Sequence, residues 1–264
     1  ESEWEKFKIG RDGQQRAFVF GAHPHGIISH TVLSNFFPIN EALQKHGIDY
    51  RCGTVDINMF FPFLRDLGLW VGAIRASKEA LDGCIRRGIS VVLVVGGAEE
   101  ALDARPGRAD LKLATRFGFV KLALRHGAGL IPVFGFGEND LYDQLVPNPP
   151  GSVVRDIQTR LKDILGFSLP VFKGRWGTFL PNRKPLVAVV GRPIDCPKIE
   201  DPSDEQVQYY HKKYVEALMD LHERYKGRYD DVLTIVDAET KDEAAHSWSD
   251  DINDFLFSRG KSRL

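Results

Sequence analysis

Net charge is almost absent from this sequence: 35 Lys and Arg against 36 Asp and Glu leave a formal charge of −1. A chain so balanced has no long-range field for gathering nucleic acid, and any anionic ligand must be held by local basic clusters. Cysteine is scarce as well. Cys52, Cys84 and Cys196 are odd in number and widely spaced, which excludes a disulfide framework and fits a reducing compartment. No apolar run reaches the roughly 18 residues of a membrane-spanning helix. The longest candidate, MFFPFLRDLGLWVGAI at 59–74, is broken by Arg65 and Asp66. No signal-peptide pattern is legible, but the chain begins at Glu1 rather than methionine, so a missing anchor is not evidence against a membrane. Several familiar chemistries are missing: there is no G-x-S-x-G elbow, no P-loop and no H-E-x-x-H. GFGEND at 135–140 lacks the third glycine of a dinucleotide loop, and its acidic end would repel a pyrophosphate.

What is present is an ordinary globular composition, 43% hydrophobic and 27% charged, which excludes disorder throughout. Short apolar runs at 17–20, 51–55, 89–95, 130–136 and 186–191 read as strands, mostly without polar alternation and so buried on both faces. Helical patterns lie between them at 29–45 (interrupted at Pro38), 77–87, 116–126 and 152–165. Ser77 is placed to cap the second, while Gly88 closes it and Gly127 closes the third. The clearest helix covers 204–225. Its capping box is Ser203 to Gln206, and Val207, Tyr210, Tyr214, Ala217, Leu218, Leu221 and Tyr225 form one face. Strand alternating with helix predicts an α/β fold: one domain over 1–228 with a mostly parallel or mixed central sheet flanked by helices. A polar tail, partly docked through INDFLF, is expected over 229–264. Sites in such folds gather beyond the carboxyl ends of strands. Three loops therefore stand as candidates: GAHPHG, GGAEEA and GENDLY.

His23 and His25 sit two apart where the first strand ends, with His30 nearby. H-x-H is a metal-ligand spacing, but no second ligand pair accompanies it, and no metal is expected. Two readings remain open on the residues alone: hydrogen-bonded loop histidines around Pro24 and Gly26, or a general base, since imidazole titrates near neutrality. Glu99 and Glu100 are either solvated first-turn acids or a source of one inward carboxylate that orients a histidine. Arg116, Lys121 and Arg125 punctuate an amphipathic helix pattern, and Lys173, Arg175, Arg183 and Lys184 surround glycines in a loop able to grip phosphate oxygens.

In this order and spacing, FGAHPHGI, VVGGAEEAL, RFGFVKLALRHGAGLIPVFGFGENDLY, GRWGTFLPNRKPLVAVVGRPI and YYHKKYVEALMDLHERYK resemble the type-2 diacylglycerol acyltransferase family, which also holds monoacylglycerol acyltransferases and some wax synthases. The resemblance runs from about Phe18 to Tyr225. It implies a glycerolipid acyltransferase-like fold and an acyl-CoA-dependent O-acyltransferase that forms triacylglycerol from diacylglycerol. The implied setting is the cytosolic face of the endoplasmic reticulum membrane or the lipid droplet. Acyl-CoA is then a substrate, with no cofactor. Family members carry a hydrophobic hairpin ahead of the His-Pro-His-Gly strand. Only residues 1–17 precede that strand here, so the hairpin is expected to be missing from this chain. The related His-x-x-x-x-Asp pattern is absent, since Ile28 and His30 occupy the fifth positions after His23 and His25. The resemblance thus points to His25 as base, His23 as its positioning neighbour and Glu100 as the orienting acid. Gly26, Gly96, Gly97, Arg116, Lys121 and Arg175 are expected on the substrate side. Phe117 stands where relatives often have a basic residue. The alternatives are a monoacylglycerol or fatty-alcohol acceptor, or a non-catalytic acyl-CoA-binding module. NMFFPFL at 58–64 is the candidate for a membrane interface, against a reading as buried core.

Overall fold

The computed structural model describes residues 16–37, 43, 45–60, 62–146, 148–149, 151–165, 170–228 and 232–235. Its centre is a six-stranded sheet made of β1 (Phe18–His23), β2 (Tyr50–Thr54), β3 (Ala73–Arg75), β4 (Ser90–Val94), β6 (Gly129–Phe136) and β9 (Val187–Val190). The spatial order is β3-β2-β4-β1-β6-β9. Every neighbouring pair is parallel except β6 with β9. The expected mixed, mostly parallel sheet is thus the architecture found.

Burial on both faces follows from the period of two along each strand. On β1, Phe18, Phe20 and Ala22 join a cluster with Ile131, Val133, Val32 and Phe36, while Val19 points into the opposite cluster. That second cluster receives three helices: α4 (Lys78–Arg86), α6 (Gly118–His126) and α8 (Asp204–Lys226). Ser77 caps α4 by accepting from the Ala80 amide at 3.3 Å. Ser203 and Gln206 form a reciprocal capping box on α8. The buried face of α8 holds Val207, Tyr214, Leu218 and Leu221 as its spacing predicts, together with His211 and His222. Histidine does not register in a hydrophobic period, yet these two rings pack on Phe117 and Phe136. Tyr214 is the pin: its hydroxyl donates to the Gly21 carbonyl at 2.9 Å, in space that a Cβ on Gly21 would fill.

Several elements differ from expectation. The run at 59–74, to which no helix or strand was assigned from the sequence, lies across α2 (Asp56–Phe60), α3 (Pro62–Trp70) and β3, although Phe61 lies outside the described residues. Of the helix expected at 29–45, α1 covers His30–Asn35, and 38–42 and 44 lie outside the described residues. A short α5 (Ala98–Asp103) follows β4, and α7 (Val153–Leu165) follows the expected boundaries. Two small sheets were not foreseen. One pairs β7 (Asp143–Gln144) with β8 (Phe172–Lys173). In the other, β5 (Arg108–Leu111) pairs in parallel with β10 (Val232–Ile235), so chain beyond Arg228 is docked by a strand. INDFLF and the rest of the expected tail lie outside the described residues.

Removing the α8 cap with Ser203→Ala should lower unfolding free energy by about 1 kcal/mol. Equilibrium denaturation measures it, and no change would mean the Gln206 half of the box suffices.

Candidate functional site

β4, β1 and β6 are adjacent and parallel, so the connections that follow them meet at one edge of the sheet. These are the three loops singled out in the sequence. The connection after β1 carries His23, His25 and His30, and it is gripped from both sides by buried carboxylates.

Glu100, on α5, is 3% exposed. Its Oε2 accepts the main-chain N–H of His25 at 2.8 Å, and Oε1 accepts the main-chain N–H of Lys112, also at 2.8 Å. Glu138, in a 3₁₀ turn at Glu138–Leu141 after β6, is 2% exposed. It accepts the His30 amide at 2.9 Å, the Thr31 amide at 2.5 Å and the Thr31 hydroxyl at 2.6 Å. Ser29 precedes α1 with φ 64° and makes no side-chain cap, so Glu138 satisfies the first-turn amides that a capping side chain would take. Gly26 has φ +62°, and a Cβ there would lie 2.3 Å from Glu138 Oε1; a Cβ on Gly96 would lie 1.7 Å from Glu100 Cδ. Both glycines are therefore demanded by the carboxylates beside them. Gly97 starts α5.

Each glutamate is pulled two ways. Burial raises both to about 7, against donated hydrogen bonds that favour the charged form. Adjacent Glu99 is half-buried and faces outward to Lys162 at 2.9 Å and Arg116 at 3.3 Å. Lys162 holds its carboxyl below the usual range.

Ring tautomers follow from the partners. His25 Nδ1 lies 2.8 Å from the Gly26 carbonyl, which can only accept. In the neutral ring Nδ1 therefore carries the proton, and Nε2 keeps its lone pair. Burial lowers this imidazole below 6.5, so it is neutral at neutral pH. The expectation that Glu100 contacts the ring is corrected here. Glu100 holds the main chain of His25, and the Gly26 carbonyl sets the tautomer. His23 is fully buried, with Nε2 3.0 Å from the Tyr214 hydroxyl. Because Tyr214 gives its proton to Gly21, His23 must donate from Nε2. Its Nδ1 is a buried acceptor with no partner among the described residues. Burial, and then nearby His211, push His23 down to about 3. That ring stays neutral at neutral pH. His30 Nε2 lies 2.8 Å from the Tyr142 hydroxyl, which reaches the Phe179 carbonyl at 3.3 Å.

The three expected anion-side residues are not brought together. Lys121 pairs with Asp204 at the start of α8. Arg175 lies over the Trp176 ring at 4.3 Å, in the connection between β8 and β9. Arg116 alone stands by α5. Sequence reading passed over Glu138, although its loop was a candidate; the signal was an acid at the end of a wholly buried strand. Among the described residues no group of histidine, cysteine and carboxylate side chains could hold a metal ion.

A family model described as Diacylglycerol acyltransferase matches residues 11–236. Diacylglycerol O-acyltransferase 2 of Dictyostelium discoideum is 47% identical over 225 residues, 81% of this chain and 67% of the relative. 2-acylglycerol O-acyltransferase 1 of Bos taurus is 39% identical over 232 residues, 80% of this chain and 66% of the relative. Diacylglycerol O-acyltransferase 2 of Homo sapiens is 37% identical over 226 residues, covering 81% and 58%. The chain thus spans about two thirds or less of the length of these relatives. No solved structure matches it.

Because burial holds Glu138 at about 7, above 4.5, the folded chain keeps a proton that the unfolded chain has lost between those values. Its contribution to stability therefore falls as pH rises through that window. Glu138→Gln should shrink the drop in unfolding free energy between about pH 5 and about pH 8 by on the order of 2 kcal/mol, read by denaturant unfolding at both. An unchanged drop would mean that Glu138 stays ionised in the folded chain across the window.

Proposed function

The chain belongs to the diacylglycerol acyltransferase family, and on that premise we propose that it is an acyl-CoA-dependent O-acyltransferase that forms triacylglycerol from diacylglycerol. The observation that carries the mechanism is the His25 ring. Its Nδ1 proton is committed to the Gly26 carbonyl, its main chain is tied to Glu100, and Nε2 has no partner among the described residues.

His25 Nε2 takes the proton of the acceptor hydroxyl as the oxygen attacks the thioester carbonyl. The tetrahedral intermediate then collapses, the C–S bond breaks, and the imidazolium returns its proton to the departing CoA thiolate. Amides of the turns at Gly26, Gly96 and Gly97 are the proposed donors to the oxyanion. His23 and Tyr214 position the strand end from behind. A covalent acyl-enzyme is not required. All three cysteines are buried, and burial raises Cys52 and Cys196 to about 12, far from a thiolate. Ser29 donates its hydroxyl to the His25 carbonyl. No additional cofactor enters these steps.

His25→Ala should cut turnover by about 10²- to 10⁴-fold in a chain that still folds. Product identification with long-chain acyl-CoA and diacylglycerol, monoacylglycerol or a fatty alcohol checks both chemistry and acceptor. Near-normal turnover of a folded variant would remove the role from His25. Monoacylglycerol belongs in the panel because 2-acylglycerol acyltransferases are among the relatives.

The proposed setting is the cytosolic surface of the endoplasmic reticulum or of a lipid droplet. No helix of the described residues is long and apolar enough to cross a membrane. What supports an interfacial arrangement is the placement of exposed apolar side chains. Phe60, Phe63 and Trp70 lie on the connection leaving the carboxyl end of β2, and Trp176 and Phe179 lie between β6 and β9. Because β9 is antiparallel to β6, that connection leaves and returns at the edge that carries His25. Phe63 is 79% exposed and Trp176 78%, unlike buried Met59. The double variant Phe63→Asp, Trp176→Asp should lose most flotation with phosphatidylcholine liposomes containing diacylglycerol. Undiminished flotation would place the lipid contact elsewhere.

A further inference from the structure

The connection from β8 to β9 carries charge of one sign. Residues 173–184 read KGRWGTFLPNRK, with Lys173, Arg175, Arg183 and Lys184 and no acid. Among the described residues none of these four cations makes an ion pair, whereas Lys112, Arg116, Lys121 and Arg155 all do. Asp143 lies opposite Lys173 in the β7–β8 register, yet no salt bridge joins them. Lys173, Arg183 and Lys184 are exposed. Arg175 Nε is buried with no acceptor among the described residues, and its guanidinium rests over Trp176.

Apolar side chains stand among these cations, since Trp176, Phe179 and Leu180 are all exposed. Trp176 is held outward at a cost in free energy: its φ of 58° and ψ of 24° are left-handed, a conformation that a bulky residue rarely adopts. The turn that imposes it is braced. Gly174 N–H donates to the Thr178 carbonyl at 2.6 Å, Arg175 N–H to the Leu180 carbonyl at 2.7 Å, and the Thr178 hydroxyl to the Arg175 carbonyl at 2.8 Å. Its base is tied to the edge of the sheet that carries His25. There the Tyr142 hydroxyl reaches the Phe179 carbonyl, Asn182 N–H donates to the Leu141 carbonyl, and Val187 pairs with Phe136.

We infer that this connection binds the headgroups of acidic phospholipids, with Lys173, Arg183 and Lys184 meeting the anionic groups while Trp176, Phe179 and Leu180 enter the boundary with the acyl chains. The inference rests on the interfacial setting proposed above and goes beyond it by naming the lipid class selected. Aromatic rings and long cationic side chains side by side suit the headgroup level, where each has an apolar part to bury and a polar part to keep wet. Two features favour a surface over a dissolved anion. Cations flank the rings at both ends of the connection, and Phe179 and Leu180 are covered by a lipid layer but not by a small anion in water. Bound in this way, the connection holds the His25 edge of the sheet against the layer that contains the acceptor.

The test floats the whole chain with phosphatidylcholine vesicles made with and without phosphatidylserine, at roughly 0.1 M salt so that surface charge is not fully screened. The native chain should partition onto the phosphatidylserine vesicles better by about tenfold or more. The double variant Arg183→Gln, Lys184→Gln should lose most of that preference and keep its binding to phosphatidylcholine alone. Both side chains are exposed and outside every ion pair among the described residues, so the fold should survive. A control pair, Arg86→Gln, Lys198→Gln, removes the same charge at the opposite edge of the sheet, beside the starts of β4 and β6, and should keep the preference. A native chain without the preference overturns the inference, as does a preference that survives in the loop variant. An equal loss in the control pair also overturns it, by making the effect one of net charge. Titration with CoA and with pantetheine, which lacks every phosphate, separates a nucleotide from a headgroup. If the loop variant loses a preference for CoA while its vesicle ratio stays at the native value, the assignment to lipid falls. Flotation on both vesicles alike loses the inference and keeps the interfacial setting, whereas flotation on neither loses both.

Discussion

Glu100 and Glu138 reach the connection between β1 and α1 from its two flanks, and between them accept three main-chain amides and a hydroxyl of that segment. A loop joining a strand to a six-residue helix, entered through a left-handed Ser29, is unfavourable on local grounds. Nearly dry carboxyl oxygens supply the compensation, because water does not compete for the amides there. The arrangement also dictates residue types nearby. Gly26 and Gly96 are glycine because the carboxylates occupy the volume a side chain would need.

Main-chain clamping and ring chemistry are separated in this site. The imidazole of His25 answers to the Gly26 carbonyl, whereas its position answers to Glu100. His23 is the reverse case, its ring locked to Tyr214 and its basicity suppressed by burial. Two histidines separated by a single proline thus have opposite character, one with its Nε2 lone pair uncommitted and the other a buried strut. The surrounding environment, rather than residue type, makes the difference.

Much of this was legible in the sequence. Apolar runs with both faces buried announced the five longest strands of the sheet, and Ser77, Gly127 and the Ser203–Gln206 box marked helix ends that the structure retains. The adjacency of the three site loops followed from strand order, which alternation of elements makes accessible. Short pairings such as β7 with β8, two residues each, leave no period to detect. Partners of charged groups were also hidden. Lys121 and Arg116 look alike on one amphipathic stretch, yet one meets Asp204 and the other Glu99, each many residues away. Nothing in Glu100 or Glu138 as letters says that their targets are amides, because every residue but proline offers the same donor.

Tyr214 stands 191 residues after the histidine it supports. During synthesis, β1 and the His-Pro-His-Gly turn leave the ribosome long before the helix that backs them. Until α8 emerges and inserts its phenol over Gly21, the nascent chain has no means of seating His23. The seating of His23 therefore waits until every strand of the central sheet has been made.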